Sequence, residues 1–92
     1  MSGTLFPLGT VVTTRGIEER FRDDVSTLLS LLRRHLAGDW GDLDAHDREA
    51  NRAALRDGAR ILSAYNGADH PRIWIITEAD RSSTCILFPD EY

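Results

Sequence analysis

The sequence predicts an α+β domain: an antiparallel sheet of three to four strands with two to three helices on one face, in the order β-α-α-α-β-β-β. Three observations predict it. From Ile17 to Asp57, apolar residues recur at helical spacing and are interrupted by helix-capping residues. From Arg60 to Phe88 the pattern changes to three β-branched and aromatic runs separated by short segments rich in Gly, Asn, Asp and Pro. Ahead of the helices lies a further β-branched run, Leu8 to Thr14.

Ninety-two residues suffice for one domain and one core. Such a chain buries about two-thirds of its unfolded surface, so a stability of about 5–10 kcal/mol is expected. The net charge is −4, and all 11 basic residues are arginine. An acidic chain is poorly suited to non-specific DNA binding, which depends on clustered cations. Cys85 is the single cysteine, so no intrachain disulfide can form. Met1 to Pro7 lacks the charged segment and apolar core of a secretion signal. The longest apolar runs, Ile73–Ile76 and Cys85–Phe88, are far too short to span a membrane. The expected compartment is the cytoplasm.

Met1 to Pro7 reads as a loose arm with Phe6 tucked into the core. Leu8 to Thr14 reads as the first strand, and Gly9 within it marks an edge, a bulge or a close approach. Ile17 and Phe21 define a short helix. Asp23, Asp24 and Ser26 interrupt the pattern with N-cap chemistry, which predicts a kink before a second helix; one continuous helix is the rival reading. Val25, Leu28, Leu29, Leu32 and Leu36 form the apolar stripe of the second helix, widened by Leu31. Arg33, Arg34 and His35 suit its negative C-terminal end, and Gly38 follows as its stop.

Asp39 to Leu43 connects to a third helix, capped by Asp44 with Asp47 three residues on, and ended by Gly58. Its expected inner face is Ala50, Ala53, Ala54 and Leu55; its outer face carries Arg48, Arg52 and Arg56. Arg60 to Tyr65 is the second strand. Asn66-Gly67 opens a turn that runs to Pro71. Arg72 to Glu78 is apolar on both faces through Ile73, Trp74, Ile75 and Ile76, so it belongs in the sheet centre. Ala79 to Arg81 turns the chain into Ser82 to Phe88. Pro89 ends that strand, and Asp90-Glu91-Tyr92 reads as an acidic tail. Three strands joined by short turns make a meander, which the first strand joins.

Several residues carry polar chemistry. Asp39, Asp42, Asp44, His46 and Asp47 place five potential ligands within nine residues. Oxygen-seeking cations use such groups, yet the spacing is not that of an EF-hand, and caps plus solvated charge account for it. No metal or other cofactor is expected. His35 could act as a base, but no nucleophile in a recognisable motif accompanies it. Cys85 reads as a small buried hydrophobe. Arg48, Arg52 and Arg56 could meet phosphate, although Glu49 and Asp57 are interleaved with them.

The segments Phe6-Pro7-Leu8-Gly9-Thr10-Val11-Val12, His35 to Asp42 (His-Leu-Ala-Gly-Asp-Trp-Gly-Asp), Leu62-Ser63-Ala64-Tyr65, and Ile73 to Ser82 (Ile-Trp-Ile-Ile-Thr-Glu-Ala-Asp-Arg-Ser) resemble a family of short proteins encoded on bacterial plasmids and integrative elements. Its members are labelled plasmid-related or, loosely, restriction–modification-associated. The family tends to carry Gly and Pro between two short helices where this chain has Arg20 to Ser26. The resemblance implies an accessory protein of a mobile element and brings no established activity with it.

The expectation is therefore a non-enzymatic protein-binding module. Its most concrete form is an inhibitor of a host defence complex, anti-CRISPR or anti-restriction. The expected contact residues are Asp39, Trp40, Asp42, Asp44, Asp47, Trp74, Glu78, Asp80 and Arg81. A nucleic-acid-binding regulator using Arg48, Arg52 and Arg56 is one alternative. A metal-dependent enzyme using Asp39, Asp42 and Asp44 is the other. An apolar outer sheet face or an unpaired edge strand would favour a homodimer.

Overall fold

The structure is a computed structural model and describes residues 4–92. Of the expected loose arm, Met1 to Gly3 lie outside the described residues. Phe6 is buried, as its place in that arm suggested.

Four strands form one sheet: β1 (Thr10–Thr13), β2 (Ile61–Tyr65), β3 (Ile73–Thr77) and β4 (Ser83–Leu87), in the order β1-β4-β3-β2. Three helices precede β2: α1 (Arg15–Arg20), α2 (Val25–Leu36) and α3 (Ala45–Asp57). The last three strands make the antiparallel meander, and β3 is internal as its two apolar faces require. Strand β1 joins β4 in parallel, so the sheet is mixed. The intervening helices carry the chain back to the starting end of the sheet, which a parallel pairing needs.

Strand β1 is shorter than the Leu8–Thr14 run. Gly9, at φ +66°, stops it early, and a Cβ there would lie 2.5 Å from the Arg81 carbonyl oxygen. Close approach is thus the correct reading of this glycine. Helices α1 and α2 are separate. Phe21 closes the first, and the Asp24 carboxylate caps the second at the Thr27 amide. The Thr27 hydroxyl, donating to that carboxylate, is the leading cause that holds its pKa below the ordinary value.

The buried stripe of α2 is Leu28, Leu31, Leu32 and His35. It is rotated from the expected one, and Val25 and Leu29 are exposed at 55% and 47%. The stripe packs with Ile17 and Phe21 of α1 against Tyr65, Ile73, Ile75 and Ile86. Each such fully buried Ile contributes about 1.5–3 kcal/mol through lost water contact.

Helix α3 covers the β2 end of that face, where Ala54 packs with Ile61 and Phe6. It runs along the outer edge of β2, where the Asn51 amide donates to the Leu62 carbonyl (2.7 Å) and accepts from the Leu62 amide (3.1 Å). Asn51 is buried and Ala50 exposed, the reverse of the expected inner face. A second buried cluster, Phe6, Trp40, Leu43, Ala54, Ile61 and Ala64, fills the space around this edge.

The β2–β3 connection runs from Asn66 to Arg72, as the turn expected from Asn66 to Pro71 requires. Gly67 keeps negative φ, and the strands end at Tyr65 and resume at Ile73. The loop is tied by Arg72 donating to Asn66 Oδ1 (2.8 Å) and by Arg20 donating to the Asp69 carbonyl. The expected acidic tail is also ordered. Pro89–Glu91 forms a 3₁₀ turn, and the Glu91 carboxylate accepts from the Thr14 hydroxyl (2.6 Å), the Phe88 amide (2.9 Å) and the Gly16 amide (3.0 Å). It closes the start of α1 from the far end of the chain, and these bonds, the Thr14 hydroxyl first, lower its pKa.

Candidate functional site

The loop Asp39 to Leu43 is a structural seam. Gly41, at φ +73°, bridges Ala64 in parallel, with the Ala64 amide donating to the Trp40 carbonyl (3.2 Å) and the Asp42 amide to the Ala64 carbonyl (2.6 Å). A side chain on Gly41 would meet the Tyr65 ring at 2.5 Å. With Asn51 serving Leu62, the outward polar groups of β2 are all occupied. This edge is closed to further strands.

The side chains of the loop are used in the same way. Trp40 is 6% exposed, an anchor of the second cluster and not a contact residue. Its indole Nε1 is, among the described residues, the one buried side-chain polar atom without a hydrogen-bond partner. Asp39 receives a bidentate pair from Arg34 (Nε 2.7 Å, Nη2 3.2 Å), the leading cause that lowers its pKa, and its carbonyl accepts from the Tyr65 hydroxyl at 2.7 Å. Asp42 accepts from the Asn66 amide at 2.8 Å. Asp44 caps α3 at the Asp47 amide, 2.8 Å away.

Asp39, Asp42 and Asp44 do not converge on one point. Among the described residues, the ligand-type atoms that approach within 4.8 Å of one another belong to Asp44, His46 and Asp47. All three lie at the exposed first turn of α3, the geometry of a helix cap.

The arginine row is likewise engaged. Arg48 donates to the Leu43 carbonyl (3.0 Å) and the Gly41 carbonyl (2.8 Å), fastening the seam. Arg52 pairs with Glu49 at 3.0 Å, and Arg56 with Asp57 at 3.5 Å. Arg81 adopts φ +61°, and its guanidinium donates to the carbonyls of Ala54 (3.1 Å), Ala59 (2.6 Å), Glu78 (3.0 Å) and Ala79 (3.1 Å). It ties the β3–β4 turn to the C-terminal end of α3, where cations are favoured. Asp80 accepts from the Ser82 amide at 2.9 Å, and its pKa is lowered, with Ser82 the leading cause. Of the contact residues expected from the sequence, Asp39, Trp40 and Arg81 are therefore committed to the fold.

A polar chain that no sequence motif announced crosses the core. Ser63 Oγ lies 2.5 Å from His35 Nδ1, His35 Nε2 lies 2.9 Å from Thr77 Oγ1, and Thr77 Oγ1 lies 2.7 Å from Thr84 Oγ1. Thr84 then donates to the Leu8 carbonyl at 2.8 Å. That last acceptor sets the directions as far as His35 Nε2, because a hydroxyl has one proton. Thr84 donates to Leu8, so it accepts from Thr77, and Thr77 accepts from His35. Nε2 of the imidazole is thus protonated. Burial pushes the His35 pKa down to about 4, so near neutral pH the ring carries that one proton and Nδ1 accepts from Ser63. His35, Ser63, Thr77 and Thr84 are each 0% exposed. The Ser63–His35 pair has the spacing of a nucleophile and its base, but it is sealed from any substrate. Its signal in the sequence was the position of His35, four residues after Leu31 and seven after Leu28.

One surface stays partly open, with Val12 exposed, Leu62, Trp74 and Cys85 half-buried and Ile76 buried. On the face away from α1 and α2, the row Val12–Cys85–Ile76–Leu62 crosses all four strands in register. Beside it Trp74 is half-buried. The Tyr92 ring meets Trp74 edge-on at 5.8 Å, and its hydroxyl accepts from Arg60 at 2.9 Å. Arg60, Leu62, Trp74, Ile76 and Tyr92 line a shallow groove of about 280 Å³. Arg60 and Glu78 pair at 3.5 Å on its rim. Burial is the leading cause that raises the pKa of the Cys85 thiol, so it is a weak nucleophile.

Scans of protein-family models, curated protein sequences and solved structures each return no match to this chain. Among the described residues, no helix is long and apolar enough to cross a membrane.

Proposed function

We propose that this chain is a non-enzymatic module that docks another protein on the helix-free face of its sheet. The observation that carries this reading is the apolar row Val12–Cys85–Ile76–Leu62, flanked by Trp74 and Tyr92 and rimmed by Arg60 and Glu78. A half-open aromatic pair in an apolar patch with a charged rim has the makeup of an interface centre. The polar residues that sequence reading offered to other functions support this choice indirectly. The arginines of α3 are paired or clamped, and the Ser63–His35 pair is sealed.

The partner class we propose is a nucleic-acid-binding component of a host defence machine, CRISPR effector or restriction enzyme. Its basic groove would attract a chain of net charge −4. The resemblance to proteins of mobile elements directs the test. Purified protein is titrated against purified defence complexes, with Leu62→Asp, Trp74→Ser and the milder Tyr92→Ala as variants of the face and Arg52→Glu as a control. The expected result is saturable binding to one complex, weakened at least tenfold by the face variants and unchanged by the control. No binding to any complex, or binding lost only with Arg52→Glu, overturns the reading.

A further inference from the structure

The two edges of the sheet are treated in opposite ways. Strand β2 is sealed by Asn51 and by the Trp40–Asp42 seam. Among the described residues nothing pairs with the outer edge of strand β1, and all four of its residues are exposed. The Thr10 amide donates to the Ser82 carbonyl and the Thr14 amide to the Ile86 carbonyl. In a parallel ladder alternate residues serve the same neighbour. Thr10, Val12 and Thr14 therefore face β4, while Val11 and Thr13 aim their N–H and C=O groups outward. The usual guards of an edge, such as Lys, Pro or a bulge, are missing from Thr-Val-Val-Thr.

From this edge we infer that the protein forms a two-fold homodimer in which β1 pairs antiparallel with β1 of a second copy. The outward groups allow one centred register. Val11 faces Thr13 of the second copy, Thr13 faces its Val11, and Val12 faces its own counterpart on the axis. Each Val11–Thr13 pair exchanges two backbone hydrogen bonds, and the Val12 pair is the close, non-hydrogen-bonded kind.

Side chains and charges agree with that register. Exposed apolar residues gather at this edge: Val11 at 40%, Val12 at 44% and Val25 at 55%. Thr13, Ile17, Phe21, Val25 and Leu28, with Glu18 and Arg22 beside them, line a groove of about 310 Å³ on the helix side of β1. Val11 and Thr13 share that side, so Val11 of the second copy lies next to Thr13, over the groove. The ends match in charge. Arg15, the first residue of α1 and two residues beyond β1, makes among the described residues one ion pair, an exposed 3.8 Å contact with Glu19. The antiparallel pairing brings this end of β1 toward the Gly9 end of the second copy, beside the turn that bears Asp80, a carboxylate with no ion-pair partner among the described residues. On the other face, the Val12 pair joins the two apolar rows into one.

Sedimentation and disulfide trapping test the pairing on the whole chain. The expected mass at high micromolar concentration is twice 10.3 kDa, and Val12→Lys, which opposes like charges on the axis, returns it to 10.3 kDa with an unchanged circular dichroism spectrum. In a Cys85→Ser background, Val12→Cys cross-links rapidly under mild oxidation, since its Cα pair at about 4.5 Å suits a disulfide. Val11→Cys, whose counterpart lies across the axis and off register, does not. A wild-type monomer at all concentrations, or equal cross-linking by the two cysteine variants, overturns the inference. Because the readouts are mass and cross-linking, failure here leaves the docking face untouched.

Discussion

The buried imidazole makes stability depend on pH in a calculable way. His35 has a folded pKa of about 4 against an ordinary 6.5. The folded state therefore holds the neutral ring, and the stability from this is fully present above pH 6.5. Between 6.5 and 4 the unfolded chain binds a proton that the folded chain refuses. Stability there falls by about 1.4 kcal/mol per pH unit, about 3 kcal/mol in total, before levelling off. The perturbation is His35→Gln, whose side chain can donate toward Thr77 and accept from Ser63 but does not titrate. The variant loses some stability at pH 7.5 through imperfect fit, but its profile from 6.5 to 4 should be flatter by about 3 kcal/mol. Urea midpoints at half-unit pH steps measure both proteins. The lowered carboxyl groups of Asp24, Asp39, Asp80 and Glu91 shift downward from ordinary values near 4 and cancel in the difference. Parallel profiles would refute the sealed, neutral imidazole and the bond directions built on it.

Other expectations rest on the same accounting. Asn51→Leu leaves the Leu62 amide and carbonyl without partners and should cost about 2–4 kcal/mol in urea unfolding, whereas Arg52→Ala on the exposed face should stay within about 0.5 kcal/mol; equal costs would contradict the edge-sealing role. Arg81→Ala should lose about 2 kcal/mol, combining lost bonds to carbonyls with a non-glycine residue still in the left-handed region. Arg81→Gly should be less damaging by thermal melt, because it removes the second part. Cys85 should react slowly with a disulfide reagent at pH 7 in the native state and quickly in urea; immediate native labelling would contradict its raised pKa.

The parts of this fold that were legible share a local cause. Helix caps at Asp24 and Asp44, stops at Gly38 and Gly58, and the alternating runs of β2 to β4 are written within a few residues of where they act. What was not legible depends on residues distant in sequence. The parallel docking of β1 on β4 joins positions about seventy residues apart. The stripe of α2 rotates toward His35 because Ser63 and Thr77 offer it partners, which no helical period encodes. Asn51 sits inward because an edge strand needs an amide there more than it needs another alanine methyl. Glu91, read as part of a solvated tail, closes a helix seventy-five residues upstream of it. The candidate surface was half visible. Trp74 and Glu78 stood out, while Arg60, Leu62 and Tyr92 joined them only once the strands were in register.

Amide hydrogen exchange on the protein, alone and with any defence complex found to bind it, tests the proposed docking face most directly. Protection gained on binding should centre on Leu62, Trp74 and Ile76 and spread to Tyr92. Protection confined to the outer face of α3, around Arg52 and Arg56, with the sheet unchanged, would contradict the account.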